Sequence, residues 1–401
     1  VLDMPLRRLA SLERRKIQDE YKEKQTLIKK LTKLLASPKM MRDVVKEELE
    51  EVLERYGDRR QSRIVDLLDS DVSVPQDLIP DEQVWVMLGE KGTVGRTTAR
   101  NATTISGKLD EMPLAIMRAN TQDYLYLFAA DGQAVCLPVH QLPQIAQYGD
   151  GTHWAELTPF TRRQHVVDAL VIPDDLEGYL TMATLAGTVK RVRLEDLPMG
   201  AGDAFTVMRV DKSDSLGWAK LTNGEQEIIL ATANGQAIRF SEEDVRPMGL
   251  PAGGVMGVKL KGDTDGVVTM ALAQPEGYLW TIADNGVAKA TEMGEYPTQG
   301  RNGRGVVNVK LPKDAVEVVS AVVGNEETQL FIKLATGSVR MMKLGKSKFG
   351  SRPIKPEPML KVGPRTRVVG VVGLTDRPEV GDEDAAGDDA TESAQQLSLI
   401  S

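Results

Sequence analysis

The sequence predicts an α+β multidomain protein with an N-terminal helical segment, an all-β ring of six propeller-like blades and a disordered acidic tail. Three observations support this prediction. Residues 1–63 repeat apolar side chains at helical spacing, residues 81–375 repeat a glycine-centred hairpin, and residues 376–401 are rich in acidic and small residues and contain no aromatic side chain. A segment of the last kind buries too little apolar surface to offset the entropy of ordering.

The helical segment reads as two helices, over 1–36 and 37–63, separated by "ASPKM". Ser37 is a good N-cap, Pro38 suits the first helical position, and the second helix should end at Tyr56-Gly57. Two interpretations stay open: a helical hairpin packed on its own domain, or part of an antiparallel coiled coil whose other strand lies upstream. The heptad-like seam consists of Ile17, Tyr21, Ile28, Leu31 and Leu35, then Met41, Val45, Leu49 and Val52.

Residues 64–80 are acidic, contain proline and are predicted to be a linker; the β repeats fill 81–375. Each repeat has an apolar strand, a turn that ends in glycine and a second strand, as in "EIILATANGQAIRF" (227–240) and "GYLWTIADNGVAKA" (277–290). Between hairpins, "GDAFTVMRV" (202–210), "AGGVMGVKL" (252–260) and "GRGVVNVKL" (303–311) form a second pattern. Six units of roughly 50 residues fit a ring of four-stranded blades. The turn glycines are Gly92, Gly132, Gly187, Gly235, Gly286 and Gly337.

The charge of this 401-residue chain is unevenly distributed. The formal net charge is −8, but residues 1–63 carry +5, residues 376–401 carry −7, and residues 333–369 carry ten Lys and Arg against one Glu. This +9 segment predicts an anionic partner, with which the acidic tail would compete. A single cysteine, Cys136, and the absence of a signal peptide or membrane span fit a protein of the reducing cytosol. The first residue is not Met, which suggests a fragment or a processed chain.

No self-contained active site is visible in the sequence. His140, His153 and His165 have no Cys or acidic neighbour at metal-ligand spacing, and Cys136 lies in a repeat strand, where a core role is expected. No phosphate-cradling loop of the nucleotide-binding kind occurs. We therefore expect no catalytic residue, no metal site and no cofactor in this chain.

The remaining candidate site is basic. "QGRNGRG" (299–305) alternates glycines, which allow close backbone approach to phosphate, with arginines, which can bind phosphate through two donors. A solvated turn between blades is the simpler interpretation of one such loop, but the adjacent +9 segment favours nucleic acid. The candidate DNA-binding residues are Arg301, Arg304, Lys310, Arg340, Lys343, Lys346, Lys348, Arg352 and Lys355.

The order of "LRRLASLERRKIQDEY", "SPKMMRDVVKEELEEVLERYGDRRQSRI" and six β repeats resembles the C-terminal half of the A subunits of bacterial type IIA topoisomerases, DNA gyrase first and topoisomerase IV next. "RPMGLPAGGVMGVKL" and "EYPTQGRNGRGVVNVKL" carry the resemblance most specifically. It implies a cytoplasmic homodimer in which residues 1–36 close the exit gate, residues 37–63 return along the coiled coil, and the β domain is a β-pinwheel that bends double-stranded DNA. It also implies an A2B2 complex with the gyrase B subunit, with Mg and ATP held outside this chain.

One departure from the family concerns DNA wrapping. Gyrases carry a Gln-Arg-Arg-Gly-Gly-Lys-Gly box after the first hairpin, whereas this sequence has "TTARNATTISGKLDEM" (97–112) there. The clustered bases near hairpins five and six predict a short or one-sided wrap. Two alternatives stay open: a topoisomerase IV-like subunit that binds DNA without chiral wrapping, and a protein-interaction propeller on a coiled-coil stalk.

Overall fold

The computed structural model describes residues 6–56, 79–98, 112–146, 149–200, 202–262, 264–345, 350–352, 355–363 and 366–373. The chain divides into two compact units, Val1–Asp69 and Ser70–Ser401. The predicted tail and most of the predicted linker lie outside the described residues. No helix of the described chain is long and apolar enough to cross a membrane.

The first unit contains two helices, α1 (Leu6–Leu35) and α2 (Pro38–Tyr56). Ser37 caps α2, because its Oγ accepts a hydrogen bond from the Met40 N–H at 3.4 Å. The seam stays exposed in both helices: Ile17 is 66% exposed and Leu49 is 63% exposed. Within this unit the apolar seam is therefore exposed, and both interpretations of the helical segment stay predictions.

The second unit is built on six antiparallel hairpins. Each hairpin belongs to one blade, and the blades are numbered 1 to 6 in chain order. Each turn places a glycine at positive φ, between 76° at Gly235 and 103° at Gly92, where a side chain would be strained. These are the six turn glycines predicted from the sequence. The hairpins are β1 (Gln83–Gly89) with β2 (Thr93–Thr97), β4 (Tyr124–Ala129) with β5 (Gln133–Pro138), β8 (Tyr179–Thr184) with β9 (Thr188–Arg193), β12 (Glu227–Thr232) with β13 (Gln236–Ser241), β16 (Tyr278–Ala283) with β17 (Val287–Glu292), and β20 (Gln329–Leu334) with β21 (Val339–Lys343).

An inner strand completes the axial side of every blade by pairing with the first hairpin strand. Inner strands of neighbouring blades contact one another around the ring, and the last contacts the first. The ring is therefore closed, and the predicted six-bladed architecture is confirmed. The inner strands are β3 (Pro113–Asn120), β7 (Val166–Ile172), β11 (Leu216–Thr222), β15 (Val267–Leu272), β19 (Val318–Gly324) and β23 (Val368–Gly373).

A two-residue outer strand pairs with the second hairpin strand in blades 1 to 5. Each outer strand comes from the connection that follows the next hairpin, so the chain returns to one blade after it has begun the next. The second pattern in the sequence contains three of these strands. The outer strands are β6 (Thr152–His153), β10 (Phe205–Thr206), β14 (Val255–Met256), β18 (Val306–Val307) and β22 (Glu357–Pro358).

The core consists of six apolar clusters, one between each pair of neighbouring blades. The cluster between blades 6 and 1 holds five buried side chains, Met87, Met112, Ile116, Ile145 and Phe331. An ion pair of 2.5 Å between Lys333 and Glu90 accompanies it. Packing between blades, rather than within a single sheet, therefore stabilises the ring.

Candidate nucleic-acid interface

The perimeter of the ring is formed by the outer strands and the four residues after each, which we call the outer segments: 152–157, 205–210, 255–260, 306–311 and 357–362 for blades 1 to 5. Each segment is fixed by the turn glycine of its own blade. The Gly132 carbonyl accepts the N–H groups of Val207 and Met208 at 3.0 and 3.2 Å, and the Gly235 carbonyl accepts those of Asn308 and Val309 at 2.9 and 3.2 Å. The turn glycines therefore position the perimeter as well as shape the hairpins.

Four outer segments present a base at the same place. In blades 2 to 5, the third residue after the outer strand is basic and exposed. The two residues before it are buried or half-buried, and the residue after it is apolar and half-buried. None of these four side chains forms an ion pair with a described residue. Blade 1 has the exposed acid Glu156 at the equivalent position. We call the four the rim bases: Arg209, Lys259, Lys310 and Lys361.

The two arginines of "QGRNGRG" are in different environments. Arg304 is exposed, and no described residue binds its guanidinium. Arg301 is half-buried and donates from Nε to the Asp244 carbonyl at 2.9 Å and from Nη1 to the Met256 carbonyl at 3.3 Å. The loop also pairs with the outer segment of blade 3, because the Lys259 N–H donates to the Gly303 carbonyl at 2.8 Å. The loop is thus a junction between blades that leaves Arg304 available.

The other described candidates lie on β21 of blade 6 and in the connection that leads to β22 of blade 5. Arg340 and Lys343 are exposed on β21 of blade 6, where Lys343 pairs with Glu327. Arg352 is half-buried, and Lys355 is exposed in the loop that leads to β22. Lys346 and Lys348 lie outside the described residues. Lys310 alone of the nine candidates is a rim base.

Two further cations are buried just inside the perimeter. Lys190 in β9 is 0% exposed, and Lys289 in β17 is 2% exposed. Burial lowers the pKa of each ammonium to about 8, and for Lys289 the nearby Arg352 adds to the effect. Both side chains donate to backbone carbonyls rather than to a described carboxylate.

Comparison with known proteins identifies the family of the ring. A family model described as the DNA gyrase C-terminal domain, a beta-propeller, matches residues 178–202, 226–274 and 278–325. These stretches contain the hairpins of blades 3, 4 and 5. The ring belongs to the DNA gyrase A C-terminal domain family.

Similar proteins agree with this assignment. The chain is 32% identical over 352 residues to the DNA gyrase A protein of Mycolicibacterium smegmatis, and the match covers 84% of this chain and 41% of that one. It is 30% identical over 415 residues to the DNA gyrase A protein of Streptomyces coelicolor, with 98% and 48% covered. The chain thus spans less than half the length of these relatives.

Two solved structures share the architecture. The C-terminal domain of DNA topoisomerase IV matches with a TM-score of 0.65 and 28% identity, over 74% of this chain and 94% of that one. A DNA gyrase A C-terminal domain matches with a TM-score of 0.60 and 21% identity, over 73% and 100%, and shows the shared fold.

The candidate DNA-binding residues predicted from the sequence omit three rim bases, Arg209, Lys259 and Lys361, although Lys361 belongs to the +9 segment. A signal was present, because "GDAFTVMRV" and "AGGVMGVKL" place Arg209 and Lys259 in the same column as Lys310 of "GRGVVNVKL". The prediction instead favoured local charge density, which directed it to the +9 segment. Periodicity around the ring was the more informative property.

Proposed function

We propose that the ring binds double-stranded DNA along its perimeter, with the rim bases as phosphate contacts. The observation that carries this proposal is the repetition of one exposed base at the same position of four successive blades. A curved row of bases matches a bent duplex, whose two strands present phosphates at regular intervals. Contacts to phosphates carry no base sequence, so binding should tolerate any sequence.

The energetics of bending are compatible with such a row. Smooth bending of 20–30 bp by 40–90° costs about 1–6 kcal/mol, and a longer path around the ring costs more. The rim bases and Arg304 supply five cationic contacts, and each phosphate neutralised makes the fall of log K with log salt concentration steeper by about 0.9. Affinity should therefore fall steeply as salt concentration rises.

The test is DNA affinity as a function of salt concentration, measured by fluorescence anisotropy on the full chain. Replacing the four rim bases with alanine should lower affinity and reduce the salt slope by about 3 to 4. The matched control removes four exposed lysines of α1, namely Lys22, Lys24, Lys29 and Lys33, which changes the net charge equally. If both variants lose the same affinity, DNA binding by the rim is wrong and only net charge matters.

We further propose that the chain is part of a cytoplasmic type IIA topoisomerase subunit that forms a homodimer through its helical unit. The exposed seam of α1 and α2 supports this, since a second copy would bury it. Gyrase B subunits would complete an A2B2 assembly, with Mg and ATP bound in other domains and in the B subunit. Sedimentation of the chain should give a dimer, and Ile28→Asp with Leu49→Asp should give a monomer.

The handedness with which the ring wraps bound DNA is the subject of a separate proposal. The matches to DNA gyrase A proteins and to the gyrase C-terminal domain family support a ring that wraps DNA, and the absent gyrase box motivates the alternative of binding without chiral wrapping. Ligation of nicked circular DNA in the presence of the chain tests this. A positive linking-number shift relative to DNA without protein would establish a right-handed wrap, and no shift with retained binding would support the topoisomerase IV-like alternative.

A further inference from the structure

The outer segments of neighbouring blades are tied together by buried or half-buried cations. We infer that Lys190, Arg301 and Lys289, which we call the bridging cations, are positioning residues that hold the rim bases of blades 2 to 5 along one path. This inference rests on the proposed binding of DNA by the rim bases. It assigns the bridging cations no contact with DNA.

Lys190 joins blade 2 to blade 3. Its Nζ donates to the Val207 carbonyl at 2.6 Å and to the Leu250 carbonyl at 2.5 Å. Val207 lies in the outer segment of blade 2, two residues before the rim base Arg209. Leu250 lies five residues before the outer strand of blade 3. One ammonium therefore fixes the distance between the perimeters of two blades.

Lys289 makes the same connection between blades 4 and 5. Its Nζ donates to the Asn308 carbonyl at 2.6 Å and to the Arg352 carbonyl. Asn308 lies two residues before the rim base Lys310, and Arg352 lies five residues before the outer strand of blade 5. Asn308 is itself held, because its Oδ1 accepts the Tyr296 hydroxyl at 2.6 Å. The two lysines thus have equivalent partners two blades apart.

The junction of blades 3 and 4 is bridged by an arginine instead of a lysine. Ile238 occupies the position of Lys190 and Lys289, three residues after the turn glycine, and offers no donor. The cation comes instead from Arg301, which lies five residues before the outer strand of blade 4. Its donors reach the Met256 carbonyl in the outer segment of blade 3 and the Asp244 carbonyl. The junction of blades 3 and 4 is therefore bridged like those on either side of it.

The backbone of the rim bases takes part in the same junctions. The Arg209 N–H donates to the Ala252 carbonyl at 3.1 Å, and the Lys259 N–H donates to the Gly303 carbonyl at 2.8 Å. Both acceptors lie three residues before the outer strand of the next blade. A rim base is thus fixed to the following blade directly beside the bridging cation. Loss of the cation should let neighbouring rim bases move relative to each other.

Because blade 4 uses an arginine where blades 3 and 5 use a lysine, replacement of Lys190 and of Lys289 should have different effects. Blade 5 already has an arginine, Arg352, at the position of Arg301, and its Nε is buried without a hydrogen-bond partner among the described residues. Lys289→Ile would therefore recreate the Ile-Arg pair of blade 4. Blade 3 has Leu250 at that position, so Lys190→Ile would leave its junction without any cation.

The experiment compares affinities for a long and a short duplex, measured with the full chain. A duplex of about 30 bp can contact several blades, whereas one of about 10 bp contacts one or two. Lys190→Ile should weaken binding of the long duplex about tenfold, which is about the effect of losing one phosphate contact. The affinity for the short duplex should stay nearly unchanged. Lys289→Ile should have a smaller effect. Lys190→Ile with Leu250→Arg, which transplants the blade 4 pair, should restore most of the affinity.

The outcomes separate this inference from the proposed function. If the rim-base variant loses affinity but Lys190→Ile binds both duplexes like the unchanged chain, the bridging cations do not position the rim and the inference is wrong. Equal losses on both duplexes, with no recovery in the double variant, would indicate general destabilisation and also overturn it. If the rim-base variant itself binds normally, the proposed function fails first.

Discussion

Blades 5 and 6 have equivalent hairpins, but only blade 5 has an outer strand within the described residues. In blade 5, the Gly286 carbonyl accepts two N–H groups of the outer segment, and Lys289 is buried. In blade 6, Arg340 stands at the position of Lys289 and is exposed, and no atom lies within 4 Å of a Cβ built on Gly337. Among the described residues, the base at this position is therefore buried where an outer strand covers the turn and exposed where none is described.

The largest effect should come from a methyl group at the turn of blade 5. Gly286→Ala would strain a residue at φ 82° and place its Cβ 2.5 Å from the Leu360 carbonyl. We expect a loss of about 2–4 kcal/mol in the free energy of unfolding, since strain and a backbone clash add. Gly337→Ala, whose new methyl group meets no described atom within 4 Å, should cost only about 1 kcal/mol, from strain alone. Urea denaturation measures both, and equal losses would show that the outer segment does not press on the turn.

Charge reversal on the two blades locates the end of the DNA path. Lys361→Glu removes the rim base of blade 5, and Arg340→Glu removes the exposed base of blade 6. If the path follows the rim bases, Lys361→Glu should lower DNA affinity about tenfold or more, and Arg340→Glu should have a clearly smaller effect. Both residues belong to the +9 segment, so the reverse order in an anisotropy titration would place the DNA on the predicted bases of β21 rather than on the rim base of blade 5.

The hairpins could be predicted from the sequence because their information is local. A glycine at positive φ and the flanking apolar strands lie within fourteen residues, as in "EIILATANGQAIRF". The outer strands could not be assigned to a blade, because each has two residues and pairs with a hairpin of the preceding blade. Nothing local distinguishes Lys289, which is buried, from Arg340, which is exposed. The docking of Arg301 on carbonyls of blade 3 likewise depends on a contact with no sequence pattern.

A substitution in blade 1 would extend the comparison to the other end of the row. Glu156 is exposed at the rim-base position and forms a 2.5 Å ion pair with Arg162. Glu156→Lys should raise DNA affinity about three- to fivefold, less than a full contact because Arg162 is already nearby. Glu156→Gln is the control, which removes the negative charge without adding a base. If neither variant changes the affinity, the DNA path does not reach blade 1.

Two buried lysines should make the stability of the chain depend on pH. Lys190 and Lys289 have pKa values of about 8 in the folded chain, below the ordinary 10.5, and Glu295 partly opposes the shift at Lys289. Between these pH values the unfolded chain binds more protons, so the free energy of unfolding should rise as the pH increases from about 8 to about 10.5. DNA affinity should change in the opposite direction, because a neutral amine holds the carbonyls of neighbouring blades less strongly. Urea midpoints should lose most of this rise in the Lys190→Met, Lys289→Met variant, and an unchanged rise there would assign the titration to other groups.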